Sequence, residues 1–292
     1  MKENKTIKVI SILVILISII CCVLPFVAKN ELAAKTMISN FGETVTLYGK
    51  GLYARNSFSC AIQAIAQDFV TLIMVVPGMI AALFLIKRKR VVGLFLLTGL
   101  FGYMLYTYMS YAFLMAYNDL FLLYVANMTL SFYGLVLCII SLENDMVIES
   151  IKERMPVKGL RIFLICSGVA IFLMWIGRII PTIGKDLAPA GLDNCTTLVI
   201  QAMDLGIIVP ACFVIAHLLK IKHKLGYILG PVIIVKAVTL VTAVFAMALY
   251  MKISGIEVAA IEFIVFGIMT VLSFYYFFRI IKMIAKSEGA AK

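Results

Sequence analysis

The sequence predicts an all-α integral membrane protein of eight transmembrane helices, and three observations carry that prediction. Of its 292 residues, 63% are hydrophobic and only 14% charged, whereas roughly a quarter of a soluble domain is charged. The mean hydropathy is +1.08. The charges fall in short patches between apolar runs of about 20 residues, the length that crosses ~30 Å of hydrocarbon at ~1.5 Å per residue. No run alternates in and out like a barrel strand, and open sheet edges cannot be satisfied in lipid, so the runs are helices.

In order, the runs cover residues 7–28, 68–86, 91–111, 120–142, 160–180, 198–219, 225–251 and 257–281. The first follows Lys2, Lys5 and Lys8 as a signal peptide would. It exceeds the usual apolar region of about 7–15 residues and lacks an A-x-A site, so it reads as a retained span. Ile20 before Cys21 makes a poor lipidation site. Between the first two spans lies the longest extracytoplasmic segment, residues 29–67. Within it TVTLYGKGLYAR (residues 44–55) has two β-prone runs around Gly49-Lys50-Gly51, which reads either as a hairpin flap over the external mouth or as a solvated connector.

Orientation follows from Lys and Arg. With the N-terminus inside, 18 of the 26 basic residues fall on the cytoplasmic side: Lys2 to Lys8, Lys87 to Arg90, Lys152 to Arg161, Lys220 to Lys224, and Arg279 to Lys292. Only six fall outside, so both termini are predicted to be cytoplasmic. The net charge of +11 then reflects loops held against an anionic leaflet and calls for no nucleic acid. The seven cysteines form no C-x-x-C pair and no zinc spacing with His217 and His223, which argues against a metal site.

A 4+4 parallel repeat is expected. Setting Pro77 on Pro210 also superposes Leu85 on Leu218, Lys87 on Lys220, Lys89 on Lys222 and Gly93 on Gly226, and MTLSFY at Met128 recurs as MTVLSFY at Met269. This divides the chain into a first half (1–142), a cytoplasmic linker (143–159) and a second half (160–292). Two four-span halves share one orientation, as in parallel-repeat transporters. Cys60 and Cys195 precede the matched spans, and an oxidising exterior would allow a disulfide between them.

Depth counting gives the buried charges a height. Lys236 lies about 18 Å above Lys224, Arg178 and Glu262 about 25 Å above Arg161 and Arg279, and Asp204 about 24 Å above Lys220. A lysine that reaches outward joins that layer, so Lys236, Arg178, Asp204 and Glu262 form the candidate solute or ion site. The first half offers Tyr103 at the position aligned with Lys236, Asn127 about 24 Å above Glu143, and Asp68 about 28 Å above Lys87. Tyr103, Tyr106, Tyr108 and Tyr111 read either as an interfacial aromatic belt or as a cavity lining, and Trp175 as an interface anchor or a cage wall.

Three functions remain open: a transporter or binding protein for a small polar or charged solute, an accessory, immunity or sensory subunit docked to a membrane protein through residues 29–67, and a membrane-embedded enzyme acting on a lipid or quinone-sized molecule. There is no P-loop, H-E-x-x-H, G-x-S-x-G or potassium-filter sequence. No cofactor is indicated.

Overall fold

The computed structural model describes residues 4–142 and 145–290; Lys2, Lys292 and the linker positions Glu143 and Asn144 lie outside them. Among the described residues, eight helices are long and apolar enough to cross a membrane, and the protein is an all-α, multi-span membrane protein. The first span is α1 (Lys5–Val27), whose first turn is capped by the Asn4 carboxamide, which accepts from Thr6 N at 3.0 Å. The second span joins α2 (Phe58–Val70) to α3 (Val76–Lys87), followed by α4 (Val91–Leu114) and α5 (Phe121–Ser141). A short helix, α6 (Asp145–Arg154), occupies the linker. Then come α7 (Val157–Ile179), a sixth span of α8 (Val199–Met203) and α9 (Val209–Lys220), α10 (Lys224–Ile253) and α11 (Ala260–Ala290).

The second and sixth spans each carry a π turn, at Thr71–Val75 and Asp204–Ile208. Val76 N donates to Thr71 O and Val209 N to Asp204 O, five residues back in each case. The cause lies just beyond: Pro77 and Pro210 have no N–H, and a proline ring collides with the carbonyl four residues before it. The wider turn moves that carbonyl aside. Both spans then end with a lysine at positive φ, Lys89 at 58° and Lys222 at 55°. Gly93 and Gly226 lie against the preceding helix at matching places, where a Cβ would come within 2.7 Å of Leu85 Cβ and 2.8 Å of Leu218 C.

α4 is the central helix, with 78% of its apolar window buried against 11% for α11. Apolar burial gives no preference for helix contact over lipid contact, so packing depends on small residues that allow close approach. Gly99 supplies this where α4 crosses α10: a Cβ there would stand 2.3 Å from Val235 Cβ and 2.8 Å from Val232 O. Gly102, one turn on, faces the stem of Lys236. α10 also packs on α2, α9 and α11, while α1 leans on α5 and α7 on α9.

The strand-bearing end of the bundle differs from expectation. Its hairpin is formed by β1 (Thr36–Ile38) and β2 (Thr44–Thr46), antiparallel with Thr36 opposite Thr46, and not by residues 44–55 around Gly49-Lys50-Gly51. Gly51 takes φ +57° because its backbone abuts the end of α1, where a Cβ would meet Pro25 O at 2.7 Å. The chain then turns inward through Gly51–Tyr53 and buries Tyr53. The segment is tied to the loop before α8 by Ser57 Oγ, which donates to Asp193 at 2.6 Å, and by Asn194 Nδ2, which donates to Arg55 O at 3.1 Å.

At the opposite, basic end the last helix locks the central one. Glu288 accepts from Arg90 Nε and from Val92 N, both at 2.5 Å, and so caps the first turn of α4, which has no side-chain cap of its own. Ser287 Oγ donates to Ser150 O of α6 at 3.3 Å. A hydrogen bond to a charged group contributes about 1.5–3 kcal/mol. Glu288→Gln is therefore expected to lower stability by about 1–3 kcal/mol, read as a reduced unfolding midpoint in micelles with faster proteolysis at the C-terminal helix.

Candidate functional site

Asp204 is the first residue of the second π turn, which aims its carboxylate into the bundle. Tyr106 Oη from α4 donates to Oδ1 at 2.7 Å, and Trp175 Nε1 from α7 donates to Oδ2 at 2.8 Å. The Lys236 ammonium lies over the Tyr106 ring, 4.5 Å from its centroid, and Arg178 Cζ lies 5.4 Å from the centroid of Trp175. Arg178 pairs with Glu262 of α11. The four charges thus form one chain through two aromatic rings: Glu262, Arg178, Trp175, Asp204, Tyr106, Lys236. Two acids balance two bases. Lys236 makes no direct ion pair with a carboxylate among the described residues; it is held by a ring face, an interaction of about 0.5–2 kcal/mol that is strongest where water is excluded.

This chain forms one wall of a cavity of about 350 Å³. Tyr106, Trp175, Arg178, Asp204 and Glu262 all line it, and Lys236 stands behind Tyr106. Gln63 and Gln67 of α2 add carboxamides, while Leu240, Val244 and Met247 of α10 form an apolar face. α7 and α11 touch toward the basic end, where the Phe163 and Tyr276 rings are 5.1 Å apart, and again through Arg178 and Glu262, which themselves line the cavity. Between these contacts the cavity runs as a slot.

The first-half candidates lie elsewhere. Tyr103 Oη shares a 2.9 Å hydrogen bond with Thr71 Oγ1, and both are buried. Asp68, 1% exposed, accepts from Tyr53 Oη at 2.7 Å and Tyr111 Oη at 2.8 Å. Burial, with the Asp68 carboxylate beside it, pushes the Tyr53 phenol well above its ordinary range, so it stays a donor. Asn127 Nδ2 donates to Ser18 Oγ at 2.8 Å between α5 and α1, and the residue is fully buried there. None of these three lines the cavity.

Two readings need correction or choice. Tyr103, Tyr106, Tyr108 and Tyr111 are all buried because α4 is enclosed by its neighbours, so they form no interfacial belt. Trp175 is no interface anchor, since its indole N–H is bound to Asp204 inside the slot. Cys60 and Cys195 both line the cavity but carry free thiols. Cys60 Sγ points to Met115 Sδ at 3.7 Å, and Cys195 Sγ to Leu114 O at 4.0 Å. Burial and the neighbouring Asp193 carboxylate push the Cys195 thiol up.

The carboxamides of Gln63 and Gln67 escaped the sequence reading, which names Tyr106 only as one of four phenols that could line a cavity. Tyr106 is three residues from Tyr103 and so on its face of the helix, a signal that was present but gave no reason to prefer it. Among the described residues no group of three or more His, Cys, Asp or Glu is placed to hold a metal ion. Comparison with protein families, characterised proteins and solved structures finds no match for the chain.

Proposed function

We propose that the protein is a membrane carrier or binding protein that takes a small polar or charged solute into the slot between its two halves. The observation that carries this reading is the union of Lys236, Arg178, Asp204 and Glu262, from four spans, in one network on a cavity wall. Intramembrane charges are costly and concentrate on solute and ion paths. The lining reaches Ser59, Cys60 and Asp193 at the strand-bearing end, which is the outer side if the Lys and Arg bias sets both termini in the cytoplasm, and the plasma membrane is the natural site for such a protein.

The parallel 4+4 repeat belongs to the same proposal. Paired π turns, the prolines beyond them, the lysines at positive φ and the packed glycines all fall in register under one alignment. That alignment also sets the Thr71–Tyr103 hydrogen bond on the Asp204–Lys236 neighbourhood. One half keeps a neutral pair where the other has charges, as expected if only one half specialised in solute contact. The halves are residues 1–142 and 160–292, joined by the 143–159 linker that contains α6.

A second reading has one observation in its favour: Met37, Ile38 and Phe41 form an exposed apolar hairpin tip, a docking point for a membrane partner in the 29–67 segment. Purified protein in lipid vesicles, incubated with a defined pool of amines, amino acids and carboxylic acids, separates the two. Saturable, protein-dependent entry of at least one compound, read by mass spectrometry of the vesicle contents, is the expected result. An accessory subunit would admit none.

A further inference from the structure

We infer that the solute is an amphipathic organic cation, a small ammonium compound whose head sits against Asp204 and whose apolar body lies along Leu240, Val244 and Met247. This rests on the carrier reading and narrows it. Several acceptors on the cavity wall have no donor among the described residues. Gln67, only 5% exposed, donates through Nε2 to Thr107 Oγ1 at 2.6 Å, and its Oε1 has no donor among the described residues. Gln63 likewise donates to Ser59 Oγ at 3.1 Å and leaves its oxygen free. Each Asp204 oxygen receives one neutral donor, whereas a carboxylate oxygen has room for two. Tyr106 and Trp175 orient that carboxylate without neutralising it.

The balance of charge points the same way. Asp193, Asp204, Glu257 and Glu262 line the cavity against Arg178, which is already committed to Glu262, and Lys236 behind the Tyr106 ring offsets only one more of these charges. An anion would have to displace Glu262 and face the remaining carboxylates. A cation meets free acceptors at once, in surroundings where charges are weakly screened. A divalent metal ion favours grouped carboxylates, and among the described residues no three His, Cys, Asp or Glu are placed together to hold one. Ile171, Met174 and Phe266 extend the apolar part of the lining, beside polar Ser110, Thr197 and Gln201, which suits a hydrocarbon body. At about 350 Å³ the space is near the lower end of ligand pockets, ~300–1,000 Å³, so the body is small.

Trp175 is the only tryptophan in the chain, and its N–H is on Asp204, so its fluorescence reports directly on the site. Purified full-length protein in micelles would be titrated with hexylammonium, hexanol and hexanoate, which share one body and differ in head charge. Hexylammonium is expected to give a saturable emission change with a midpoint about tenfold below the other two, equivalent to ~1.4 kcal/mol. Asp204→Asn should remove that advantage and leave the hexanol response in place. The series on the unaltered protein stands even where the variant fails to fold. Equal midpoints, or hexanoate binding tightest, would overturn the cationic class while leaving a solute-binding cavity. No saturable response to any of the three, in protein that still unfolds cooperatively, would overturn this class and the carrier reading together.

Discussion

Lys236→Met is expected to change solute entry by at least about tenfold, ~1.4 kcal/mol, and to lower the unfolding midpoint, with Asp204→Asn in the same chain recovering much of that stability. Methionine matches the lysine stem, which runs beside Gly102 at the α4–α10 crossing, so little packing is lost. What is lost is the positive charge on the Tyr106 ring, whose hydroxyl holds Asp204. The single variant leaves Asp204 without its nearest cation, at a cost of about 1–3 kcal/mol. Neutralising Asp204 removes the reason for that cost. The two changes should therefore couple by about 0.5–3 kcal/mol in a double-mutant cycle, as residues in one network do. Additive effects would mean that Lys236 and Asp204 do not act on one another, and unaltered entry would remove Lys236 from the solute path.

Gly99→Ala is the second large effect. The added Cβ would stand 2.3 Å from Val235 Cβ, 2.6 Å from Val235 Cγ1 and 2.8 Å from Val232 O. Two of those atoms belong to one side chain, but the third is backbone and cannot rotate away. Overpacking a tight core costs about 1–3 kcal/mol, and relief here requires α4 and α10 to separate along the crossing that aligns Tyr106 with Lys236. A lowered unfolding midpoint and a changed Trp175 emission are both expected. Shortening Val235 to alanine in the same chain should return part of the loss, because the Val232 carbonyl still obstructs.

The spans could be read from sequence because lipid imposes a length and an apolarity that few substitutions escape. All eight expected runs correspond to helices, with ends that move by several residues; the second begins at Phe58 rather than Asp68, since α2 carries polar residues that burial between helices tolerates. Depth counting groups Lys236, Arg178, Asp204 and Glu262 for a similar reason: rise per residue is nearly constant. It gives height and no azimuth. Tyr103 and Tyr106 are one turn apart, yet only Tyr106 reaches Asp204 while Tyr103 turns to Thr71. The same blindness hid Gln67, whose role depends on where α2 meets α4. The hairpin was misplaced because β propensity in TVTLYGKGLYAR is real but local: its first run, Thr44–Thr46, pairs with the preceding Thr36–Ile38, while its second turns inward through Gly51–Tyr53 and sets Tyr53 on Asp68.

The lock at Glu288 also sets an order of assembly. Glu288 follows Val92 by 196 residues, so α4 emerges from synthesis with its first turn uncapped and stays so until the last helix has been made. The central helix of the bundle is therefore among the first inserted and the last secured. A chain halted anywhere in the second half would present its early spans with an open α4 terminus and an Arg90 that lacks the Glu288 carboxylate.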